Sequence, residues 1–345
     1  MLSETFTRAF GAGRGYLDTA SYGLPAQATA RALRDATRVW ESADLDPRDA
    51  DAAVERCRRA FGALVGSPAA DVALAGSTSQ VVGMVAASLP RGARVLVAEG
   101  DFGSVLRPFA SDPALSVESV PLEALVDSVR PGIDLVAVSA VQSRDGRILD
   151  LDALAAAADA AGARTLIDVT QACPWLRIDA ARFDVVVASA YKWLNAPRGI
   201  TLAAVRPAAL AWVRPVAASW YGSDDPWASL YAVEGLSASA RRLDTSPPWQ
   251  LCEAAAVALE LHAAEDLAAL HQHGPALADA FRAEVGMAPT GSAIVSLIAE
   301  PCDLAAAGIR AASRAGRVRL GFHVHNDAID VQRAAAVLRP MLMAA

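Results

Sequence analysis

The chain has 345 residues, is 54% hydrophobic and carries a formal net charge of −7. That length and apolar share point to two domains with substantial cores, and the acidic balance without a basic stripe excludes an electrostatic footprint for nucleic acid or anionic lipid. Cys57, Cys173, Cys252 and Cys302 are scattered with no CxxC or Cys/His cluster, so no metal site and no disulfide scaffold is expected, and the thiols read as reduced. The opening MLSETFTRAFGAGRG lacks an apolar run, and the uncharged stretch 72–90 holds Gly76, Ser77, Thr78, Ser79, Gln80 and Gly83. A cytoplasmic protein without a signal peptide or membrane span is therefore expected.

In chain order, short apolar runs predict strands at 71–75 (DVALA), 94–98 (RVLVA), 134–140 (DLVAVSA), 164–168 (RTLID), 184–189 (DVVVAS) and 200–205 (ITLAAV). Alanine- and leucine-rich segments at 77–88, 121–129 and 150–161 predict helices between them. Continuous apolar strands separated by helices imply a mostly parallel sheet covered on both faces, with ligands beyond the carboxyl ends of the strands. From 206 to 250 aromatic, proline and acidic residues crowd SWYGSDDPWASLY and RRLDTSPPWQ, which read as loops at a domain junction. Helices at about 249–264 and 266–284, a strand at 293–298, a helix at about 303–314, a strand at 317–322 and a helix at about 327–339 follow. The division expected is a large α/β domain over 15–248 and a smaller α+β domain over 249–345, joined by residues 1–14.

Three strand ends carry chemistry. Ser77 and Thr78 follow the first strand, where hydroxyls and free N–H groups at a helix start either bind a phosphate or simply cap the helix. Asp168 ends RTLID with Gln171 three residues on, and Lys192 follows DVVVAS in SAYKWL. An acid and a lysine ending neighbouring strands lie on one edge of a sheet. Pyridoxal phosphate uses all of these groups: a lysine for covalent attachment, an acid for the pyridinium nitrogen and a donor-rich phosphate cup.

The ordered set resembles the class V aminotransferase family of fold-type I pyridoxal phosphate enzymes, which includes cysteine desulfurases, kynureninases and isopenicillin-epimerase-like proteins. The likeness runs through YLDTASYGLP (16–25), AGSTSQVV (75–82), EGDFGSV (99–105), DVTQA (168–172), SAYKWL (189–194) and VRLGFHVHNDAID (318–330). It implies that Lys192 binds the cofactor covalently, Asp168 pairs with its ring nitrogen, Gln171 bonds its phenolic oxygen and Phe102 stacks on its ring. Ser77, Thr78, Ser189 and Tyr191 become candidates for the phosphate, and Arg319 for a two-pronged grip on the substrate α-carboxylate. Thr245, in LDTSPP, resembles the position that reaches the neighbouring subunit's phosphate, which implies a homodimer. The segment RAASRAGRVRLG has no cysteine, a departure from the desulfurases, whose nucleophilic thiol sits on a loop before the arginine motif.

Within the family, WYGSDDPWASLY, RRLDTSPPW and YKWLNAPRG look most like the ergothioneine-pathway lyases of actinobacteria, which cleave the C–S bond of hercynylcysteine sulfoxide. That likeness implies ergothioneine (through its sulfenic acid), pyruvate and ammonia as products. Transamination, kynureninase-like hydrolysis and a non-catalytic binding protein on the same scaffold remain alternatives. A trimethylammonium substrate calls for aromatic faces, so Trp220, Tyr221 and Trp227 are substrate candidates, or else they pack a dimer interface. Arg198 and Arg241 are either ligand contacts or surface and turn residues. The pairs His271/His273 and His323/His325 read as surface or helix-terminal histidines.

Overall fold

The computed structural model describes residues 1–11, 13–233, 235–299 and 304–342. It begins with α1 (Glu4–Arg8), α2 (Gln27–Glu41) and α3 (Pro47–Val65), and then alternates β1 (Val72–Ala75), α4 (Thr78–Ser88), β2 (Arg94–Ala98), α5 (Gly103–Ala110) and β3 (Ser116–Val120). Next come β4 (Leu135–Ser139), α6 (Leu151–Ala161), β5 (Arg164–Asp168), β6 (Val185–Ser189), β7 (Thr201–Val205) and α7 (Pro207–Leu210). The remainder holds α8 (Trp249–Ala263), α9 (Leu267–Glu284), β8 (Ile294–Leu297), β9 (Ala312–Arg314), β10 (Arg317–Gly321) and α10 (Ala328–Leu338).

Seven strands form one sheet in the order β1-β7-β6-β5-β4-β2-β3, with only β7 antiparallel to its neighbours. The central strands β4, β6 and β7 are buried at every position. Alternation along β6 sends Val185 and Val187 into a core shared with α4 and α5, and Val186 and Ala188 into one shared with α3 and α8. That two-sided burial is why these strands read as unbroken apolar runs. Helix ends follow local chemistry: Asp46 caps α3 ahead of Pro47, Gly66 closes it at φ 72°, and Asp327 with Asp330 makes a reciprocal capping box on α10. The smaller antiparallel sheet, β8-β10-β9, packs Val295, Leu297, Leu320 and Phe322 against Phe281 of α9 and Val331 and Leu338 of α10.

Two expectations are corrected. The helix expected at 121–129 is a single 3-10 turn, Leu122–Ala124. The helix expected at 303–314 is turns over 304–308 and then β9, whose three residues take their partners from β10; pairing overrides the helical propensity of the alanines. Cys302 lies outside the described residues. Edge strand β3 was not anticipated because its sequence, SVESV, is polar and half-exposed. Helix α8, on the far side of the division drawn at residue 248, packs Cys252, Ala255 and Leu259 into the same core as α3.

Candidate active site

Strands β1, β4, β5 and β6 all run the same way, so their carboxyl ends share one edge of the sheet. There they enclose a cavity of about 220 Å³, lined among others by Gly76, Ser77, Thr78, Phe102, Ser143, Asp168, Thr170, Gln171, Ser189, Tyr191, Lys192 and Arg198. The sheet topology thus gathers residues spread over more than a hundred positions.

Each side chain is held by its own element. Ser77 caps α4 by accepting from Gln80 N, and Thr78 Oγ1 meets Ser189 Oγ at 2.9 Å. Ser189 Oγ also meets Thr201 Oγ1 at 3.0 Å, which leaves a chain of hydroxyls beside the free N–H groups of an eleven-residue helix. Thr170, which the sequence reading left unnamed, links this chain to the acid. Its N–H donates to Asp168 Oδ1 at 2.8 Å, and its Oγ1 accepts from Ser189 N at 2.9 Å. The only signal for it was its place between Asp168 and Gln171. Gln171 lines the cavity with its amide already engaged: Nε2 donates to Ala20 O and Ser143 Oγ, and Oε1 accepts from Trp193 Nε1 at 2.7 Å.

Lys192 is 5% exposed, on the loop after β6. Its Nζ lies 5.1 Å from the Phe102 ring centroid and 5.7 Å from that of Tyr191, and it makes no ion pair among the described residues. Burial pushes its pKa down to about 8, with Arg319, Arg314 and Arg198 adding repulsion and Asp168 opposing them. Burial also lifts Asp168 to about 6, against the donations of Thr170 and the charge of Lys192. An amine that sheds its proton near neutral pH and a carboxyl on the same edge are a matched proton-handling pair. The loop is tightly fixed: a Cβ on Gly23 would collide with the Lys192 carbonyl, and Gly23 N donates to Tyr191 O at 2.8 Å.

Asn195 makes the tightest constraint on the lysine loop. It sits at φ 54°, its backbone N–H donates to Lys192 O at 3.1 Å, and its Nδ2 donates to Leu24 O at 2.8 Å. Its Oδ1 meets the Nε2 atoms of both His262 and His323 at 2.9 Å. This corrects the reading of His323 as a surface residue: it is 2% exposed and packs edge-on to Trp193. Burial holds His262 down at about 3 and His323 well below its ordinary value, so both rings stay neutral.

Arg319 lies just behind Ser143, on β10, and is 1% exposed. It donates through Nη1 to Ser143 O and Oγ and through Nη2 to Ser21 Oγ at 2.7 Å, with Asp18 Oδ1 4.0 Å away. Its Nε has no partner. Arg198 is exposed at the cavity wall, with its guanidinium 5.0 Å from the Tyr191 ring centroid.

The loop aromatics gather elsewhere. Tyr221 OH, Trp227 Nε1 and Trp249 Nε1 all donate to the carboxylate of Asp51 at 2.7–2.9 Å, while Trp220 packs on Trp227 and donates to Ser246 Oγ. Tyr221 is fully buried, and the guanidinium of Arg241 packs 5.0 Å from its ring centroid and pairs with Glu55. Neither these residues nor Thr245 line this chain's Lys192 cavity.

The residues present suit pyridoxal phosphate: a buried amine without a fixed partner, a facing carboxyl, a hydroxyl-lined helix start and an aromatic ring beside the amine. A kynureninase of Deinococcus radiodurans is 27% identical over 287 residues, covering 77% of this chain and 70% of its own. Among solved structures, the cystine C–S lyase C-DES in complex with its product cysteine persulfide superposes with a TM-score of 0.84 at 15% identity, covering 94% of this chain and 97% of its own. The cysteine desulfurase CsdA of Escherichia coli does so with 0.80 at 19% identity and 96% coverage of each chain. The cysteine desulfurase of Thermococcus onnurineus NA1 gives 0.82 at 17% identity and 97% coverage of each. The pattern described as aminotransferase class-V matches residues 46–296, and with a mostly parallel seven-stranded sheet and a smaller antiparallel one the chain belongs to this pyridoxal-phosphate-dependent, fold-type I family.

Proposed function

We propose that the chain is a carbon–sulfur lyase that performs β-elimination on a cysteine S-conjugate, with hercynylcysteine sulfoxide as substrate. The observation that carries the pyridoxal phosphate chemistry is Lys192: a buried amine, shifted to about 8, at the same sheet edge as Asp168 and near Arg319. Bound pyridoxal phosphate supplies the electron sink for a carbanion at the substrate Cα. The chain's own residues do the rest. Lys192 anchors the cofactor and, once released, takes the Cα proton. Asp168 keeps a proton on the ring nitrogen, while Ser77, Thr78, Ser189 and Tyr191 hold the phosphate. Phe102 covers the ring, Gln171 neighbours its phenolic oxygen and Arg319 fixes the α-carboxylate. With the Cα–H bond so oriented, the β C–S bond breaks. The carbon half then hydrolyses to pyruvate and ammonia, and the sulfur half leaves as a sulfenic acid that a thiol reductant converts to ergothioneine.

A desulfurase needs a reactive thiol at the site. The described cysteines, Cys57, Cys173 and Cys252, are buried, with burial pushing Cys57 and Cys173 up to about 12 and Cys252 higher still, so none of these three is a reactive thiol, which favours a lyase over a desulfurase that uses one of them. Kynureninase-like hydrolysis is the second reading, favoured by the Deinococcus relative and by Phe102 at the ring position. We place the enzyme in the cytoplasm as a homodimer, with Thr245 reaching the phosphate of the adjoining subunit.

The purified protein should take up pyridoxal phosphate with a visible absorption band that Lys192→Ala loses. Incubation with hercynylcysteine sulfoxide should yield pyruvate without an added keto acid, and ergothioneine by mass spectrometry after reduction. Pyruvate from simple S-substituted cysteines alone would keep the lyase and refute the substrate. Alanine and anthranilate from kynurenine would replace it with the second reading, and a keto-acid requirement would make the enzyme a transaminase.

A further inference from the structure

One face of the small sheet carries three arginines, and among the described residues Asp18 is the one acid that pairs with any of them. Antiparallel pairing sets Arg314 opposite Arg317, and alternation along β10 returns Arg319 to the same face. The turn joining the two strands has only two residues, Ala315 at φ 49° and Gly316 at φ 74°. This is the tight hairpin geometry that fixes register. It holds a non-glycine residue in the left-handed region at some conformational cost.

Two of these guanidinium groups converge on a single hydroxyl. Arg319 Nη2 donates to Ser21 Oγ at 2.7 Å, and Arg314 Nη2 donates to the same oxygen at 3.0 Å. Like charges gathered around one neutral oxygen repel. Among the described residues Arg314 otherwise bonds only the carbonyl of Ser313 and Arg317 only the hydroxyl and carbonyl of Ser296, while Asp18 stands 4.0 Å from Arg319. Asp18 Oδ1 and the buried Arg319 Nε lack hydrogen-bond partners. Burial and the charge of Arg314 together lower Arg319 to about 10, with Asp18 opposing. Among the described residues no acid pairs with Arg314, and Arg319 has Asp18 alone.

We propose that Arg314, with Ser21, forms a second anion subsite beside Arg319, so that the enzyme selects amino acids carrying a second carboxylate in the side chain. The inference rests on the proposed role of Arg319 in binding the α-carboxylate. Arg319 then holds the carboxylate next to the reacting carbon, and Arg314, exposed on the hairpin, takes the distal one. Lys192 feels both guanidinium groups, which places the pair within electrostatic reach of the reacting centre. Ser21 is the shared acceptor that holds both guanidinium groups at one point.

The test uses the enzyme loaded with pyridoxal phosphate and probes that cannot react: the dicarboxylates succinate to pimelate, each against the monocarboxylate of equal chain length, with dissociation constants from calorimetry. At the best length the dicarboxylate should bind at least about tenfold tighter, as expected for an added charge-assisted pair. Arg314→Gln should reduce that ratio to near one without weakening the monocarboxylate, and Arg314→Lys should restore part of it. Arg319→Gln should weaken both ligands. A ratio near one in the wild type, or a preference that survives Arg314→Gln, overturns the proposal. Failure of the functional reading shows separately, as a cofactor-loaded protein that releases no pyruvate from S-conjugated cysteines, and the same titrations on that protein still decide the subsite.

Discussion

Two buried acids of this protein have the same perturbed chemistry and opposite surroundings. Asp168 and Asp244 are each lifted by burial to about 6. Asp244 is enclosed: Arg58 Nη2 contacts it directly, Leu74 N donates to its Oδ1 at 2.8 Å, and Arg58 is tied in turn to Val72 O and Glu55. Asp168 instead faces a cavity, with an amine nearby that makes no ion pair among the described residues and hydroxyls arranged beside it. The size of the pKa shift therefore does not mark the site. Bonding capacity left open at a cavity does, because a folded protein otherwise leaves few buried polar groups unmet.

The comparison breaks most sharply at Lys192. Replacing it with alanine should cut turnover by about 1,000-fold or more, the upper range for removal of an acid–base group, while the protein stays folded by circular dichroism. In the cofactor-free protein Lys192→Met should even stabilise. The buried amine has a pKa near 8 against 10.5 for the free side chain, so between those values the unfolded chain binds more protons and stability rises with pH. Below pH 8 the full cost of holding an ammonium is present. The variant should gain about 1–3 kcal/mol at pH 7 and lose that advantage by about pH 10.5. Equal melting temperatures at pH 7 would mean the amine is solvated and the open site misdescribed.

The enclosed assembly should behave the other way. Arg58→Met leaves Asp244 buried beside a missing partner and should cost about 3–5 kcal/mol in denaturant unfolding. Any protein that folds should keep the cofactor absorption band. Loss of the band with little loss of stability would tie Arg58 to the site.

Much of this contrast was legible in the sequence, and the reason is geometric. A parallel sheet places its functional residues just past strand ends, so an apolar run followed by Asp168 or Lys192 is visible locally. What stayed hidden depends on distant partners. Nothing near Asn195 announces that His262 and His323 will meet its side-chain oxygen, and Thr170 carries no signal beyond its neighbours. Helices α2 and α3 passed unnamed, although Asp46-Pro47 and Gly66 bracket α3. Trp220 and Trp227 drew notice as a polar-loop aromatic set, but the sequence could not show that Asp51 gathers the indole of Trp227 with two other donors.

Asn195 offers an intermediate case, a closed network next to the open site. Asn195→Ala strips two neutral imidazoles of their acceptor and should cost about 1–3 kcal/mol. It also frees the Lys192 turn, so the pH midpoint of the cofactor band should move, whereas a purely structural loss would leave it in place.

The smallest effect is expected at Trp227, where the two kinds of region come closest in meaning. Its ring is half-buried, stacked at 18° to Trp249, and its N–H is spent on Asp51 at 2.7 Å. Trp227→Phe keeps most of the ring and loses one hydrogen bond to a carboxylate that retains two others, a cost of about 1 kcal/mol in stability. If the cluster only pins the 220–227 loop to α3, KM should change by less than about twofold, the scale of a perturbation well below one hydrogen bond, and equally for a betaine-bearing substrate and a plain S-alkyl cysteine. A cation–π contact supplied across a dimer interface would instead raise KM for the betaine alone, by about two- to fivefold for an exposed contact. Measuring both substrates with Trp227→Phe and Trp227→Ala separates these outcomes, since a lost pin scales with the stability change and a lost recognition face does not.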